Sequence, residues 1–361
     1  MRSRSGNVVD SQYMSILSNI LNDGVYKETR SGNVYSLFGL SMRFNLNYGF
    51  PMLTTKKMFY RGFIHELLWF LSGDTNIKYL VDNNVNFWTP DAYRFYNELL
   101  DKDDKITGRK SDRISMYEFV DKVKAGDSIF LNKQLYDGNT EYCYRYGDLG
   151  DVYGHQWRHW GNNGFDQVKM IVDTLRKDPN DRRLLLTGYD PEIIDDVALP
   201  PCHTLYQFYT RPLTYVERLK WCDENIDDAN ELKNPSDDMM TQKGCPKYAL
   251  SLWFYCRSQD MPLGNPANIM SAALLLSMVA QCVDMMPYEL IWYGGDCHIY
   301  ENQIDGVKEQ LLRDPHMYRL PKLVLNKNVH EIDDFTFDDI KIEDYNCYPA
   351  IKMPLSVGLN V

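Results

Sequence analysis

The segment from Ala198 to Thr204 contains the strongest candidate for a reactive side chain, the thiol of Cys202. Two prolines fix the backbone before this cysteine and the run after it predicts a strand, so the thiol would lie at a rigid strand entrance. A cysteine becomes a nucleophile when nearby cations lower its pKa. Cys202 is one of eight cysteines, and without such cations it is better interpreted as a buried core residue. The neighbouring arginines therefore decide between covalent chemistry and packing.

Two arginine-containing segments flank the strands that are predicted near Cys202. Arg182 and Arg183 precede one apolar run, and Arg257 and Ser258 follow another. Adjacent arginines are usually solvated or salt-bridged surface residues. At the ends of neighbouring strands they could instead converge on a phosphate dianion, because guanidinium groups bind its oxygens in pairs. Their spacing alone favours the surface interpretation.

Glu66 is the unusual residue of a predicted helix. It lies three positions from Phe63 and four from Phe70, so its carboxyl group shares a face with apolar side chains. Such a group is either paired or has a raised pKa, which suits general acid–base catalysis. The alternative, an exposed helix flank, is weakened because His65 and Arg61 offer a more polar side.

His155 and His159 have a spacing that can bind zinc on a helix. No glutamate accompanies them in the manner of a metalloprotease, and Trp157 and Trp160 crowd the pair. We interpret both histidines as structural or surface residues and predict no metal.

Bulk composition excludes several classes of protein. The chain has 361 residues and a net charge of −11, which argues against a face built for duplex nucleic acid but permits a small anionic substrate. Its cysteines form no C-x-x-C pair, as expected of reduced thiols in a cytosol-like compartment. The sequence shows neither a secretory signal nor a membrane span. We therefore predict a cytoplasmic protein, in the host cytoplasm if the source is viral, with no membrane or specific nucleic-acid partner.

Hydrophobic periodicity outlines the fold. It predicts helices over residues 62–71, 166–177 and 267–283, and strands over residues 184–189, 204–210, 250–256 and 288–293. Strands with intervening helices indicate an α+β or mixed fold around one large sheet. Two polar stretches with weak periodicity, at about 93–145 and 212–247, are interpreted as surface insertions in a single domain covering residues 1–361.

Many short motifs, in order along the chain, resemble the thymidylate synthase family over most of its length. They are residues 36–39 (SLFG), 42–44 (MRF), 50–56 (FPMLTTK), 65–71 (HELLWFL), 73–77 (GDTNI), 147–150 (GDLG), 152–154 (VYG), 156–158 (QWR), 182–183 (RR), 201–203 (PCH), 257–258 (RS), 263–264 (LG), 266 (P), 268–269 (NI), 294–296 (GGD) and 298–300 (HIY).

The resemblance implies a reaction. A mixed, mostly antiparallel sheet would pack against helices and use one face as a homodimer interface. Cys202 would add to C6 of the uracil ring of dUMP and make C5 nucleophilic. The one-carbon unit would come from 5,10-methylenetetrahydrofolate as cosubstrate, giving dTMP. Asn268 would pair with the base edge, since an amide matches uracil whereas relatives that act on cytosine carry aspartate there.

The resemblance also assigns the remaining site residues. The phosphate would be held by Arg30, Arg257 and Ser258, with Arg182 and Arg183 donated across the dimer interface. The ribose hydroxyl would contact His298 and Tyr300. Water and proton transfers would involve Glu66, Tyr153 and His203, and Asp260 would serve both catalysis and folate binding. The folate site would further contain Lys56, Trp88, Leu263 and Gly264.

Four departures from the family pattern concern these sites. The loop at Arg30 is one residue shorter, and Cys256 replaces a glutamine. Ala267 stands where a phenylalanine usually packs against folate, and Asp91 replaces a second tryptophan near Trp88. Residues 351–357 follow the family's folate-closing tail, and residues 358–361 extend it.

Three alternatives follow. Lost apolar packing beside folate would admit water to the methylene intermediate, as in a dUMP hydroxymethylase giving 5-hydroxymethyl-dUMP. The retained Trp88, His203 and tail favour methylation. A hydrolase using Cys202 with His203 is disfavoured because adjacent strand residues point to opposite faces. A non-catalytic nucleotide-binding relative is disfavoured by the intact Cys202, Glu66 and Asn268.

Overall fold

The computed structural model describes residues 7–132, 141–226 and 235–355. The helices are α1 (Val8–Asp23), α2 (Tyr60–Ser72), α3 (Lys78–Asp82), α4 (Thr89–Thr107), α5 (Met116–Ala125), α6 (Gly154–Arg158), α7 (Gln167–Lys177), α8 (Tyr215–Asn225), α9 (Asp237–Gln242), α10 (Gly264–Cys282) and α11 (Ile304–Leu311). The strands are β1 (Val25–Lys27), β2 (Val34–Asn45), β3 (Ser128–Asn132), β4 (Glu141–Arg145), β5 (Leu185–Thr187), β6 (His203–Pro212), β7 (Tyr248–Asp260), β8 (Met286–Tyr300), β9 (Lys322–Leu325) and β10 (Ile340–Glu343).

One six-stranded sheet organises the chain, in the order β1-β2-β8-β7-β6-β5. Only β7 and β8 are parallel, and the other neighbouring pairs of this sheet are antiparallel. Since α10 connects β7 to β8, this pair has the helical crossover that parallel strands require. The predicted α+β fold with a mixed, mostly antiparallel sheet is confirmed.

The core lies between this sheet and α10. This helix has no charged residue and is buried on nearly every side, where it packs against α2, β7 and β8. A helix that is apolar all round belongs in the centre of a protein. Asn268 is carried by its first turns, so the position of this amide is set by the most buried helix of the fold.

The predicted elements are present; the strand predicted at 184–189 is shortened to Leu185–Thr187, and the other three strands are longer than periodicity indicated. The run at 250–256 extends to Tyr248–Asp260, and the run at 288–293 extends to Met286–Tyr300. These extensions bring the ends of β7 and β8 into one register, with Asp260 opposite His298. The extra strand length therefore carries site residues.

The two stretches interpreted as insertions differ in packing. In the first, α4 buries Phe95, Tyr96, Leu99 and Leu100 in the main core. In the second, α8 and α9 enclose a separate small cluster around Cys222, Met240 and Cys245. Residues 133–140 and 227–234 of these stretches lie outside the described residues. The single-domain interpretation stays a prediction.

One face of the large sheet carries uncovered aromatic side chains. Leu252, Phe254 and Trp292 are fully buried, whereas Tyr209 and Tyr293 on the other face are 66% and 41% exposed. In the described ranges, no helix is both long and apolar enough to cross a membrane.

Candidate active site

Cys202 lies immediately before β6, the strand that pairs with β5 and β7 in the large sheet. Its backbone N–H donates to the hydroxyl of Tyr153 over 2.8 Å, and its carbonyl accepts from the N–H of Arg257 over 2.8 Å. Both bonds fix the backbone that carries the thiol. The predicted rigid strand entrance is therefore present, and it is held by residues far away in the sequence.

Two guanidinium groups hold the carbonyls of the loop before Cys202. Arg257 donates from Nε to Pro201 over 2.8 Å and from Nη2 to Pro200 over 2.7 Å. Arg94 donates from Nη2 to the carbonyl of Ala198 over 2.5 Å. Hydrogen bonds from charged donors are stronger than neutral ones, so this loop is strongly positioned. Sequence reasoning missed Arg94, because its partner lies more than a hundred residues away.

The electrostatic environment of the thiol is mixed. Burial raises the pKa of Cys202, the charge of Arg257 and a hydrogen bond with Tyr153 lower it, and the charges of Asp91 and Asp260 raise it further. The net pKa shift is upward. A cysteine needs positive charge nearby to react as a thiolate at neutral pH. Within one chain, Arg257 supplies only part of that charge.

Tyr153 adopts an unusual backbone conformation, with φ of +35° and ψ of −89°. A positive φ is costly for a bulky residue and persists only where the surroundings enforce it. Here the ring is buried between Phe70, at a centroid distance of 4.9 Å, and His203, at 4.4 Å. This packing aims the hydroxyl at Cys202.

Glu66 faces the site from α2. Its Oε1 accepts from the indole N–H of Trp88 over 2.7 Å, and burial raises the pKa of its carboxyl group to about 7. A carboxyl group with this pKa can donate and accept protons near neutral pH. The sequence left a paired carboxyl group and a raised pKa as alternatives, and Glu66 has both a hydrogen-bond partner and a raised pKa.

A small enclosed cavity lies between α2, α10 and β6. Glu66, His203 and Asn268 line it, together with Ser271 and Trp157. The hydroxyl of Ser271 and the indole N–H of Trp157 are buried there without a hydrogen-bond partner. Buried polar atoms of this kind are commonly satisfied by ordered water. The cavity is thus suited to a water beside Glu66.

His203 has a different environment from Cys202. Its Nδ1 lies 2.8 Å from the hydroxyl of Tyr206, and burial lowers the pKa of the imidazole to about 3. The ring is therefore neutral at physiological pH and is engaged by β6 itself. This geometry argues against a thiolate–imidazole pair of the hydrolase type.

The far ends of β7 and β8 collect the remaining polar residues. Ser258 and Asp260 stand opposite Asp296 and His298 in the strand register. Nδ1 of His298 lies 3.3 Å from Oδ1 of Asp296, and hydrogen bonds from its neighbours keep the pKa of Asp296 well below its usual value. Burial, with the nearby charge of Asp260, raises the pKa of Tyr300.

The helix that follows β7 completes this end of the site. The N–H of Leu263 donates to Oδ1 of Asp260 over 3.0 Å, and Gly264 begins α10. Nδ2 of Asn268 lies 3.4 Å from Oε1 of Gln259. The turn between β7 and α10 thus holds Asp260, and Asn268 is bound to the preceding residue, Gln259.

Lys56 is buried beside the same turn. Its Nζ donates to the carbonyl of Pro262, and burial lowers the pKa of the ammonium group to about 8. The charge of Asp260 acts on this ammonium group, whereas Trp88 is bound to Glu66. Asp260 is more than 170 positions from both Lys56 and Trp88 in the sequence.

Three arginines assigned to phosphate binding lie apart from the thiol's immediate surroundings. Arg183 is 90% exposed in its side chain and pairs with Asp181 at 2.6 Å, and Arg182 is exposed. Arg30 is exposed; burial raises the pKa of Asp91, and the charge of Arg30 partly offsets that rise. The charges that act on Cys202 include Arg257 but none of these three.

The departures from the family pattern have defined environments. Asp91 pairs with Arg94 at 3.2 Å, with both side chains largely buried. Cys256 is fully buried, and its thiol contacts Asn268 and Trp292. Ala267 is 7% exposed on the first turn of α10. The described part of the chain contains no group of His, Cys, Asp or Glu residues placed to hold a metal ion.

The fold and the site define a class of enzymes in which a cysteine at a strand entrance, flanked by arginine, can act covalently on a small anionic substrate. The family model described as thymidylate synthase matches residues 11–357. Similar proteins include the thymidylate synthases of Phytoplasma mali (strain AT), 37% identical over 96% of this chain and 99% of the relative, and of Mycoplasma mobile (strain ATCC 43663 / 163K / NCTC 11711), 40% identical over the same shares. That of Aster yellows witches'-broom phytoplasma (strain AYWB) is 39% identical over 96% of this chain and 99% of the relative.

The chain belongs to the thymidylate synthase family. It is a one-carbon transferase of that family, and its cosubstrate is 5,10-methylenetetrahydrofolate.

Proposed function

We propose that this enzyme reductively methylates dUMP at C5 through a covalent Cys202 adduct and releases dTMP. The observation that carries the proposal is that Arg257 holds the loop of Cys202 and its charge acts on the thiol, while Asn268 on α10 contacts Cys256, whose thiol interacts electrostatically with Cys202. An amide at position 268 can both donate to and accept from a uracil edge. A carboxylate there would suit cytosine instead.

Each group has a chemical role in this proposal. Arg257 and Ser258 bind the phosphate, and His298 and Tyr300 bind the ribose hydroxyl. Glu66, with a pKa of about 7, exchanges protons with the base through water in the adjoining cavity. Tyr153 and His203 hold that water network and the thiol loop in place.

The folate site is proposed on the opposite side of Cys202. Trp88, Leu263 and Gly264 would provide its walls, with Lys56 and Asp260 as the charged groups. Burial raises the pKa of Asp260, and we assign its carboxyl group to the pterin ring. Residues 356–361 lie outside the described residues. They are the end of the tail that the family resemblance associates with closure over folate.

A homodimer completes the phosphate site in this proposal. The uncovered aromatic face of the sheet, around Tyr209 and Tyr293, is the kind of apolar surface that marks a protein interface. Arg182 and Arg183 sit exposed near the start of β5, at the edge of the same sheet. Donated by a partner subunit, with Arg30 of the same chain, they would add the positive charge that one chain lacks. The cytoplasm is the compartment proposed for this dimer.

A hydroxymethylase is the second candidate, and one observation favours it. Ala267 and the ion pair of Asp91 with Arg94 occupy positions where apolar packing against folate was expected. A polar, less filled folate side would admit water to the methylene carbon. The nucleotide chemistry would be unchanged, so only the product distinguishes the two enzymes.

Product analysis tests both functions. The purified protein would be incubated with dUMP and 5,10-methylenetetrahydrofolate, and the nucleotide and folate products would be separated. Equal amounts of dTMP and dihydrofolate support the synthase. Formation of 5-hydroxymethyl-dUMP with tetrahydrofolate would overturn it in favour of the hydroxymethylase.

A further inference from the structure

The C-terminal segment, residues 348–355, is held by a series of hydrogen bonds to the rest of the fold. The N–H of Tyr348 donates to the carbonyl of Thr54 over 2.8 Å, and Arg313 donates to the carbonyl of Pro349 over 2.7 Å. Further along, the carbonyl of Pro354 accepts from the amide of Gln303 over 3.2 Å. The last of these contacts leads directly into the active site.

Gln303 joins three segments through one buried amide. The residue is fully buried, at the junction between β8 and α11. Its Nε2 donates to Pro354 and, over 3.1 Å, to Oδ2 of Asp260, while its Oε1 accepts from the N–H of Tyr300 over 3.2 Å. An amide nitrogen has two hydrogens, so both donors are used. Any movement of the tail therefore changes the hydrogen bonding of the group that holds Asp260.

Gly306 provides an independent indication that the tail is seated here. A Cβ atom at this position of α11 would lie 2.8 Å from Cγ of Met353 and 3.2 Å from Cγ2 of Ile351. Contacts below 3.0 Å require the neighbour to move. The absence of a side chain at Gly306 thus lets the tail pack against α11, one turn away from Gln303.

We propose that Gln303 is a positioning residue that couples the seating of the C-terminal segment to the Asp260 carboxyl group, with Gly306 as the seat. The inference rests on the proposed folate role of Asp260. When Ile351 and Met353 are packed on Gly306, Pro354 occupies one donor of Gln303, and the other donor holds Asp260 toward the folate. Without that seat, the amide keeps only its bonds with Asp260 and Tyr300, and Asp260 is held less firmly.

The first experiment compares Gln303→Met with the wild-type enzyme. Methionine keeps the side-chain length but cannot donate to Asp260 or Pro354. The substitution also removes the acceptor for the N–H of Tyr300. Loss of the hydrogen bond to the Asp260 carboxyl group predicts an increase in KM for 5,10-methylenetetrahydrofolate of about tenfold, with a smaller increase in KM for dUMP. Equal KM values for the folate would overturn the coupling.

Gln167→Met is the matched control. Gln167 is also buried, and its amide donates to the carbonyls of Gln156 and Thr187 and accepts from the N–H of Thr187. Gln167→Met removes the same number of hydrogen bonds as Gln303→Met, but at a site that does not contact the C-terminal segment. We expect a lower Tm with an unchanged folate KM. If both variants change Tm and folate KM equally, Gln303 has a merely structural role and the proposal fails.

Gly306→Ala tests the seat without touching the amide. Alanine has a higher helix propensity than glycine, so the fold should be retained. The new methyl group displaces Met353. We expect the folate KM to rise several-fold at unchanged dUMP affinity. An unchanged folate KM would contradict the proposal even if Gln303→Met does not fold.

The double variant decides whether the two residues act together. Both substitutions disrupt one seated state, so their effects on folate KM should combine to less than the product of the single effects. Independent, multiplicative effects would overturn the coupling. Failure of the proposed function is separately visible, because a wild-type enzyme that converts no dUMP would fail before any variant is compared.

Discussion

The nucleotide side and the folate side of the site are built differently. On the nucleotide side, Cys202 lies on a loop whose carbonyls and amides are bound by Arg257, Arg94 and Tyr153. On the folate side, Asp91 forms a buried ion pair and Ala267 leaves a small side chain on α10. The first side is strongly positioned, whereas the second combines polar pairing with reduced apolar volume. In the proposed function, covalent chemistry depends on the first side and the fate of the one-carbon unit on the second.

The two sides are also connected. Arg94 binds Asp91 on the folate side and the carbonyl of Ala198 on the thiol loop. The charge of Asp91 also raises the pKa of Cys202. A departure from the family pattern at Asp91 therefore changes the electrostatic environment of Cys202.

Removing the nucleophile should have the largest effect. Cys202→Ala is expected to lower turnover by on the order of 10⁴-fold or more, as for other covalent nucleophiles, while dUMP still binds. Steady-state assays and calorimetric titration with dUMP would measure this. Cys143→Ala, at an exposed cysteine, serves as the control and should retain full activity. Substantial turnover by the Cys202 variant would refute the covalent mechanism.

Mixing subunits should restore activity that each variant has lost. Arg182→Glu and Cys202→Ala homodimers are both expected to be nearly inactive, because each lacks one component of both sites. After unfolding and refolding together, a random 1:1 mixture should recover about a quarter of wild-type activity, since half of the dimers contain one intact site. Activity would be compared with that of each variant refolded alone. A mixture no more active than its components would place Arg182 in its own subunit's site or outside catalysis.

Breaking the connection between the two sides should have a smaller effect. Asp91→Asn removes a negative charge that raises the pKa of Cys202 and frees the guanidinium of Arg94. Both changes lower the thiol pKa, so alkylation of Cys202 at neutral pH should be a few-fold faster. The rate of iodoacetamide labelling against pH measures it, with Asp173→Asn, an exposed surface carboxyl group, as the control. A slower reaction would mean that loop disorder outweighs the charge.

The smallest expected effect concerns pH and stability. Burial raises the folded-state pKa of Glu66 to about 7, so the folded protein holds a proton that the unfolded chain releases at its ordinary pKa of 4.5. Between these two values the folded state binds more protons, and stability falls as pH rises. Glu66→Gln removes this decrease in stability with rising pH, because glutamine does not ionise. Between pH 5 and pH 8, we expect the Tm of this variant to fall by a few degrees less than the Tm of the wild type. This difference corresponds to about 1–2 kcal/mol in the free energy of unfolding. Parallel Tm profiles would show that Glu66 ionises normally.

Local patterns predicted much of the fold. The unbroken apolar run at 267–283 indicated the central helix α10, and the period of residues 166–177 indicated α7, because helix burial repeats every three to four residues. The same reasoning missed β2. In this strand Gly39 has a φ of +80°, and Phe38 beside it is 83% exposed, which interrupts the alternation that marks a strand.

Some residues of the candidate site could likewise be recognised from the sequence, and others could not. Glu66 was recognisable because a carboxyl group on an apolar helix face is a local anomaly. Gln303 and Arg94 carry no such signal, since a glutamine or arginine between elements is ordinary until its partners are known. Their partners, Asp260 and Ala198, are 43 and 104 positions away.

The sequence by itself determined the family, the α+β class, the central helix and the set of side chains available for chemistry, because these depend on local periodicity and on ordered motifs. Only the tertiary structure decided which groups meet. The neutral state of His203, the arginine-bound loop of Cys202 and the amide that joins the tail to Asp260 all depend on burial and on contacts between distant segments. Burial and distant contacts are properties of the packed chain, and no local pattern of residues contains them.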